Sequence, residues 1–177
     1  SDKDDFTAPR LEDNASEDLF DKSRLIQVDI QMPAKDFTTL RNEARTLDTA
    51  LNECPSSTFE YTDLTATVTI DGERLDNVDI RKKGFLGSIT RSRPSFKLNF
   101  DTHVAGRRFK TMKRMTLNND RQDPSHTHQC MAYDLFRAAG LVAPRCNLAH
   151  VTVNGEDMGI YSNVESIKKP FLKRNYG

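Results

Sequence analysis

No stretch of this chain approaches the roughly 18 consecutive apolar residues that a membrane-spanning helix needs, so no such span is expected. There are no internal repeats, which argues against a solenoid or propeller. There is no CxxC spacing among Cys54, Cys130 and Cys146, which removes the usual zinc ribbons. Their odd number excludes a complete disulfide framework. One bridge plus a free thiol remains open, and so do three buried thiols. Net charge is also lacking, since 26 basic residues balance 26 acidic ones. The hydrophobic fraction of 36% is low but sufficient for a core in a chain of 177 residues. The length suits one domain or one lobe of something larger. No signal peptide is read in the sequence that starts at Ser1, as in a mature protein.

The charge balance hides an uneven distribution. Residues 1–22 are rich in Asp and Glu and poor in apolar residues, so they read as an acidic flexible leader. Residues 81–114 are strongly basic, with Asp101 as the sole acid. Such a segment suits an anionic partner, or else forms a solvated cationic face. Its basic residues are not interleaved with aromatics at a recognisable spacing, so a nucleic-acid interface is not indicated.

Residues 23–177 read as one folded unit. Arg24–Met32 alternates apolar and polar residues and predicts a strand. Phe37, Leu40, Ala44, Leu47 and Leu51 fall at helical spacing and predict a helix over Ala34–Leu51. Leu64–Ile70 and Leu75–Ile80 flank Asp71-Gly72, a hairpin signal. Ser95–Phe100 and Lys113–Asn118 predict further strands. Asp123-Pro124 predicts a helix start, with Asp123 as cap and Pro124 at the first position. That helix should run to Ala139, with Met131, Leu135 and Ala138 together with Ala132, Phe136 and Ala139 as its apolar stripe and Gly140 as its stop. Leu148–Val153 and Met158–Val164 form a second hairpin around Asn154-Gly155, and a basic helix follows over Ile167–Asn175. The expected class is α+β, a mostly antiparallel sheet with helices packed on it.

The chemistry concentrates in Arg81–Asp101, RKKGFLGSITRSRPSFKLNFD. Gly84 and Gly87 fit a GxxG loop whose backbone N–H groups can approach an anion. Lys97 then lies on the strand face opposite Phe96, Leu98 and Phe100, placed to meet phosphate as a point charge. A plain turn and a solvated lysine are the alternative. His126 and His128 stand two apart and do not form a metal pair on a helix.

Longer stretches narrow the choice. IRKKGFLGS (Ile80–Ser88), RPSFKLNFD (Arg93–Asp101), MTLNND (Met115–Asp120), DPS (Asp123–Ser125), AYDLFRAAGLVAPR (Ala132–Arg145), VTVNGEDMGIYSNVE (Val151–Glu165) and FLKRNYG (Phe171–Gly177) occur in one order. Together they resemble the CotH kinase-like family of spore coat proteins. The resemblance implies an atypical, secretory-type protein kinase, with this chain resembling its small N-terminal lobe. It implies ATP with magnesium or another divalent metal, a protein Ser/Thr substrate and an extracytoplasmic location. Lys97 would be the phosphate-binding lysine. Arg81, Lys83, Gly84, Gly87 and Ser88 would form the loop over the phosphates. Gln129 would stand on the lysine-positioning helix where relatives carry glutamate, and Glu165 near the adenine. The catalytic and metal-binding aspartates would belong to a large lobe beyond Gly177. The alternative is a non-catalytic envelope or surface module that binds an anionic partner.

Overall fold

The computed structural model describes residues 14–44, 59–84 and 90–177. Among them, seven strands close into a barrel in the order β1-β2-β3-β4-β5-β7-β6. The strands are β1 (Ile26–Gln31), β2 (Leu64–Ile70), β3 (Glu73–Lys83), β4 (Ser95–Asn99), β5 (Arg114–Asn118), β6 (Cys146–Val153) and β7 (Glu156–Val164). Three α-helices accompany them: α1 (Ala34–Asn42), α2 (His128–Ala138) and α3 (Lys169–Tyr176).

Closure overturns the expected α+β class. An open sheet with packed helices would bury its apolar face under helices. Here β6 hydrogen-bonds to β1 in parallel, from Ile26↔Ala149 to Ile30↔Val153, and the sheet meets itself. All other ladders are antiparallel. Each strand then points one set of alternate side chains into a shared interior. Ile26, Val28 and Ile30 of β1 face Val68, Ile80, Leu98, Leu117, Val151 and Tyr161 in one core cluster. The helices are left at the margins. Among the described residues, no helix is long and apolar enough to cross a membrane.

Turn chemistry matches the sequence. Asp71-Gly72 and Asn154-Gly155 both adopt positive φ at their two central residues, as the twist of a two-residue hairpin demands. The strand expected over Leu75–Ile80 runs on to Lys83, so Arg81, Lys82 and Lys83 belong to β3 rather than to a loop.

Both mouths of the barrel are plugged. At one, a 3-10 helix (Asn14–Phe20) inserts Leu19 and Phe20 into the core. Two inward-facing amides hold its backbone: Asn163 donates to the Leu19 carbonyl (3.2 Å) and Asn147 to that of Asp21 (2.7 Å). The second part of the acidic leader is thus docked through its few apolar residues, while residues 1–13 lie outside the described residues. Phe100, Phe109 and Met112 fill the same end. At the other mouth, α1 covers the interior with Phe37 and Leu40. The expected continuation of α1 over residues 45–51 lies outside the described residues.

Two helix expectations need correction. The α2 helix starts at His128, not at Pro124, because residues 124–127 form a turn. Its N-cap is therefore Thr127 rather than Asp123, although the Asp123 carboxylate accepts from the His128 backbone N–H (2.8 Å). The stripe of Met131, Leu135 and Phe136 is exposed rather than buried. The helix instead turns Cys130 and Tyr133 inward, against Cys146 and Val164. Cys130 and Cys146 form a disulfide. Cys54 lies outside the described residues.

Candidate functional site: a lysine-bearing cleft beside one mouth

Antiparallel pairing aligns Lys83 with Ser95 and Arg81 with Lys97. On the next strand, Thr116 lies opposite Lys97. These residues share the outer face of the barrel. At the end of this face, beside the mouth covered by α1, the surface folds into a cleft of about 630 Å3. Its lining includes Lys83, Gly84, Ser95, Asn118, Asp120 and Gln129. Gly84 has φ of 138° where β3 ends, and its carbonyl accepts from the Tyr61 hydroxyl (3.1 Å). The segment after β5 is tied to the start of β4, as Asn119 N–H donates to the Ser95 hydroxyl (3.0 Å) and its side chain to the Arg93 carbonyl (2.6 Å).

A directed chain of hydrogen bonds organises the wall. The Lys83 ammonium donates to Asn118 Oδ1. Asn118 Nδ2 donates to Gln129 Oε1 (2.8 Å), and Gln129 Nε2 donates to the Tyr133 hydroxyl (3.4 Å). Gln129 therefore reaches a lysine of the basic stretch through one intervening amide, and that lysine is Lys83. Burial lowers the Lys83 pKa below the ordinary lysine value, and the nearby Lys97 adds to the shift, while Asp120 opposes it. Among the described residues, no carboxylate lies within salt-bridge distance of Lys83 or Lys97.

Lys97 is half-buried on the same face but does not line the cleft. Its pKa is lowered by burial first, then by Arg81, Arg114 and Lys168, with Asp63 opposing. Arg81 lies 3.7 Å from Asp63. The outer face thus carries a band of cations leading from the cleft towards the opposite mouth. Gly87 and Ser88 lie outside the described residues.

Two other basic or acidic positions serve the architecture. Lys82 points into the barrel and is fully buried. Its ammonium donates to the carbonyls of Arg41 (2.8 Å) and Glu43 (2.5 Å), satisfying acceptors left over at the α1 C-terminus. Glu165, matched above to the adenine region, is buried and occupied. It accepts from the Arg145 side chain (2.9 Å), the Arg145 backbone N–H (3.0 Å) and the Arg174 guanidinium.

Sequence reasoning did not single out Asn118. Asp120 is held at φ 48° and accepts from the Ser162 hydroxyl (2.8 Å) and His126 Nδ1 (3.4 Å). Burial raises its pKa, opposed by those two partners. Asp123 is its opposite: hydrogen bonds from Ser125, then from His128, hold it well below the usual carboxylate range. The signal for Asn118 was its outward position at the end of a strand neighbouring the lysine strand, and that neighbourhood is a tertiary fact. For Lys82 the signal was local. Val78 and Ile80 are apolar, and the alternation carried two residues further points Lys82 inward as well.

Among the described residues, no three His, Cys, Asp or Glu side chains converge as a metal site. No step is assigned through a metal.

Fold and cleft together define a small closed β-barrel domain with a polar, lysine-bearing cleft beside one mouth. The family model described as CotH kinase protein matches residues 80–177, more than half of the chain, and the protein belongs to that family. The inner spore coat protein H-like protein of Bacillus subtilis (strain 168) is 31% identical over 83 residues, covering 47% of this chain and 25% of that protein. Inner spore coat protein H of the same organism is 25% identical over 126 residues, covering 70% of this chain and 33% of that protein. The aligned regions thus span a quarter to a third of these curated relatives.

Proposed function

We propose that the cleft binds the phosphates of ATP, and that the intact protein transfers a phosphoryl group from ATP to protein serine or threonine. The observation that carries this reading is Lys83. It is a half-buried ammonium beside Gly84, held by a neutral amide rather than a carboxylate. A lysine with a carboxylate partner has its charge spent. One held by an amide keeps its charge for an incoming anion. Lys97 and Arg81, further along the same face, extend the attraction over the length of a polyphosphate.

In this reading Lys83 meets the phosphates, Gly84 allows close backbone approach, and the Asn118–Gln129 pair orients the lysine. Phosphoryl transfer depends mainly on positioning and charge neutralisation, which a divalent metal supplies when bound with the nucleotide. The carboxylates that would complete such a site are not assigned here, because Asp120 and Asp123 are engaged by Ser162, His126, Ser125 and His128. A coat or envelope location is proposed from the spore coat relatives.

A second reading is favoured by the band of Arg81, Lys97, Arg114 and Lys168. It could hold an acidic polymer or an acidic protein of a coat without any transfer. Titration calorimetry with MgATP and with polyglutamate separates the two. The nucleotide reading expects MgATP binding that Lys83→Met weakens about 10- to 100-fold, the range for losing a hydrogen bond to a charged group. It expects a smaller loss in Lys97→Met. Equal MgATP affinity in wild type and Lys83→Met would overturn it, and salt-sensitive binding of polyglutamate alone would favour the second reading.

A further inference from the structure

The hydrogen-bond chain that orients Lys83 ends on a helix with little else to hold it. Cys130 is the one buried residue of α2, and Met131, Leu135 and Phe136 face solvent. Its apolar contact with the barrel is the small cluster of Cys130, Tyr133, Cys146 and Val164. Of its polar links, the Lys22–Asp134 ion pair is exposed at the surface, and the Arg137 bond to the Pro144 carbonyl joins it only to the loop that follows it. The Cys130–Cys146 disulfide is the covalent link from this helix to β6. Gln129, which contacts Asn118, directly precedes Cys130, and Tyr133, which receives the Gln129 hydrogen bond, stands one turn later in the cluster around the sulfurs.

We propose that this disulfide is a redox-sensitive tether that sets the Lys83 ammonium through Gln129 and Asn118, so that the anion affinity of the cleft depends on its oxidation state. Cys130 and Cys146 are positioning residues and touch no ligand. Reduction by a dithiol passes two electrons and two protons to the bridge. The S–S bond opens to two thiols and the dithiol closes to its own disulfide. The barrel keeps its ladders, because none depends on the bridge. The α2 helix, with one buried side chain, loses its anchor. Gln129 then no longer holds the Asn118 amide with Oδ1 towards Lys83, and the ammonium samples other rotamers. The affinity arm of this proposal rests on the anion-binding reading given above. The tether itself does not.

The test uses the full 177-residue chain in three forms: oxidised, reduced with dithiothreitol, and the double variant Cys130→Ser/Cys146→Ser. Amide hydrogen exchange, the acetylation rate of Lys83 by mass spectrometry, and pyrophosphate binding by calorimetry are measured on each. In the reduced and double-serine forms, exchange in α2 should rise about tenfold or more while β4 and β5 stay protected. Lys83 acetylation should change and pyrophosphate affinity fall about three- to tenfold, as for a weakened charge-assisted hydrogen bond. Reoxidation of the wild type should restore all three values. Unchanged α2 exchange overturns the proposal. So does a loosened α2 with Lys83 acetylation and pyrophosphate affinity both unchanged, which leaves the bridge a structural staple. If the oxidised protein binds no pyrophosphate, the nucleotide reading fails instead. The tether is then decided by Lys83 acetylation, where a redox-dependent rate supports it and an unchanged rate overturns it. Loss of β4 and β5 protection in the double variant shifts the decision to the reduced and reoxidised wild type.

Discussion

The two mouths of the barrel treat charge in opposite ways. Beside the mouth closed by the 3-10 helix, Glu165 is buried and met by Arg145 and Arg174, and Arg145 reaches on to Glu17 (2.9 Å) and Ser16 (3.0 Å). Beside the mouth closed by α1, Lys83 faces a cleft with an amide as its hydrogen-bond partner. The first arrangement has every strong acceptor of Glu165 in use, so it fastens the N-terminal segment and α3 to the barrel. The second leaves positive charge uncompensated at a place a ligand can reach. Paired charge here is architecture, and unpaired charge is the feature that binding can use. Lys82 makes the same point within one tripeptide. It is structural because its ammonium is spent on two backbone carbonyls, while Arg81 and Lys83 on either side turn outward.

The sharpest way to break the comparison is to remove a paired charge. Arg145→Ala leaves Glu165 buried with Arg174 alone. Arg174 still meets Glu165, so the fold should lose about 1.5–3 kcal/mol, the cost of losing hydrogen bonds to a charged group rather than that of stranding a buried charge. Urea denaturation monitors it, and a loss below about 1 kcal/mol would mean that this mouth is not held by its charges.

A second experiment follows protonation at the other mouth. The Lys83 pKa is depressed by burial and by Lys97. An anion needs the protonated ammonium, so pyrophosphate affinity should fall as pH rises, and should do so below the range of an ordinary lysine. Stability should move the other way. The folded state releases this proton before the unfolded chain does, so the term rises with pH between the lowered pKa and 10.5. Calorimetric titration across the alkaline range checks the first, and denaturation over the same range checks the second. A pyrophosphate affinity that holds flat up to the ordinary lysine range would place the bound anion elsewhere.

The smallest effect is expected at Asp120. Burial raises its pKa, so the ionised form is a cost at neutral pH. Asp120→Asn keeps an acceptor for Ser162 and tolerates the positive φ. Thermal unfolding should shift by less than the equivalent of about 1 kcal/mol, in either direction. A large loss would instead reveal a charge pairing at this mouth that rivals the one at Glu165.

Much of the chain was legible before the fold was known. Alternation marked Arg24–Met32 and Ser95–Phe100, and Asp71-Gly72 and Asn154-Gly155 marked two hairpin turns and their flanking strands, because these signals depend on neighbours in sequence. The burial of α2 was misjudged for a related reason. Met131, Leu135 and Phe136 are spaced as a buried stripe would be, yet which face a helix presents is decided by the disulfide and by the strands beneath it. Lys83, Gly84 and Gln129 were named from the resemblance, and all three line the cleft. The basic stretch was marked, while the lysine placed in the cleft is Lys83, and Lys97 lies further along the face.

The amino-acid sequence by itself determined the strands, their in-and-out alternation, the hairpin turns and the basic character of the β3–β4 segment. Each of these follows from side-chain chemistry and backbone preference over a few residues. Only the tertiary structure decided that β6 would pair with β1 and close the sheet, since that ladder joins segments more than a hundred residues apart. Closure moved the core inside the barrel and left the helices at its margins. It also separated the three consecutive basic residues at the end of β3, turning Lys82 to the interior and Lys83 to the cleft. That division depends on which face of the sheet becomes the inside, and a strand does not settle this until its neighbours are in place.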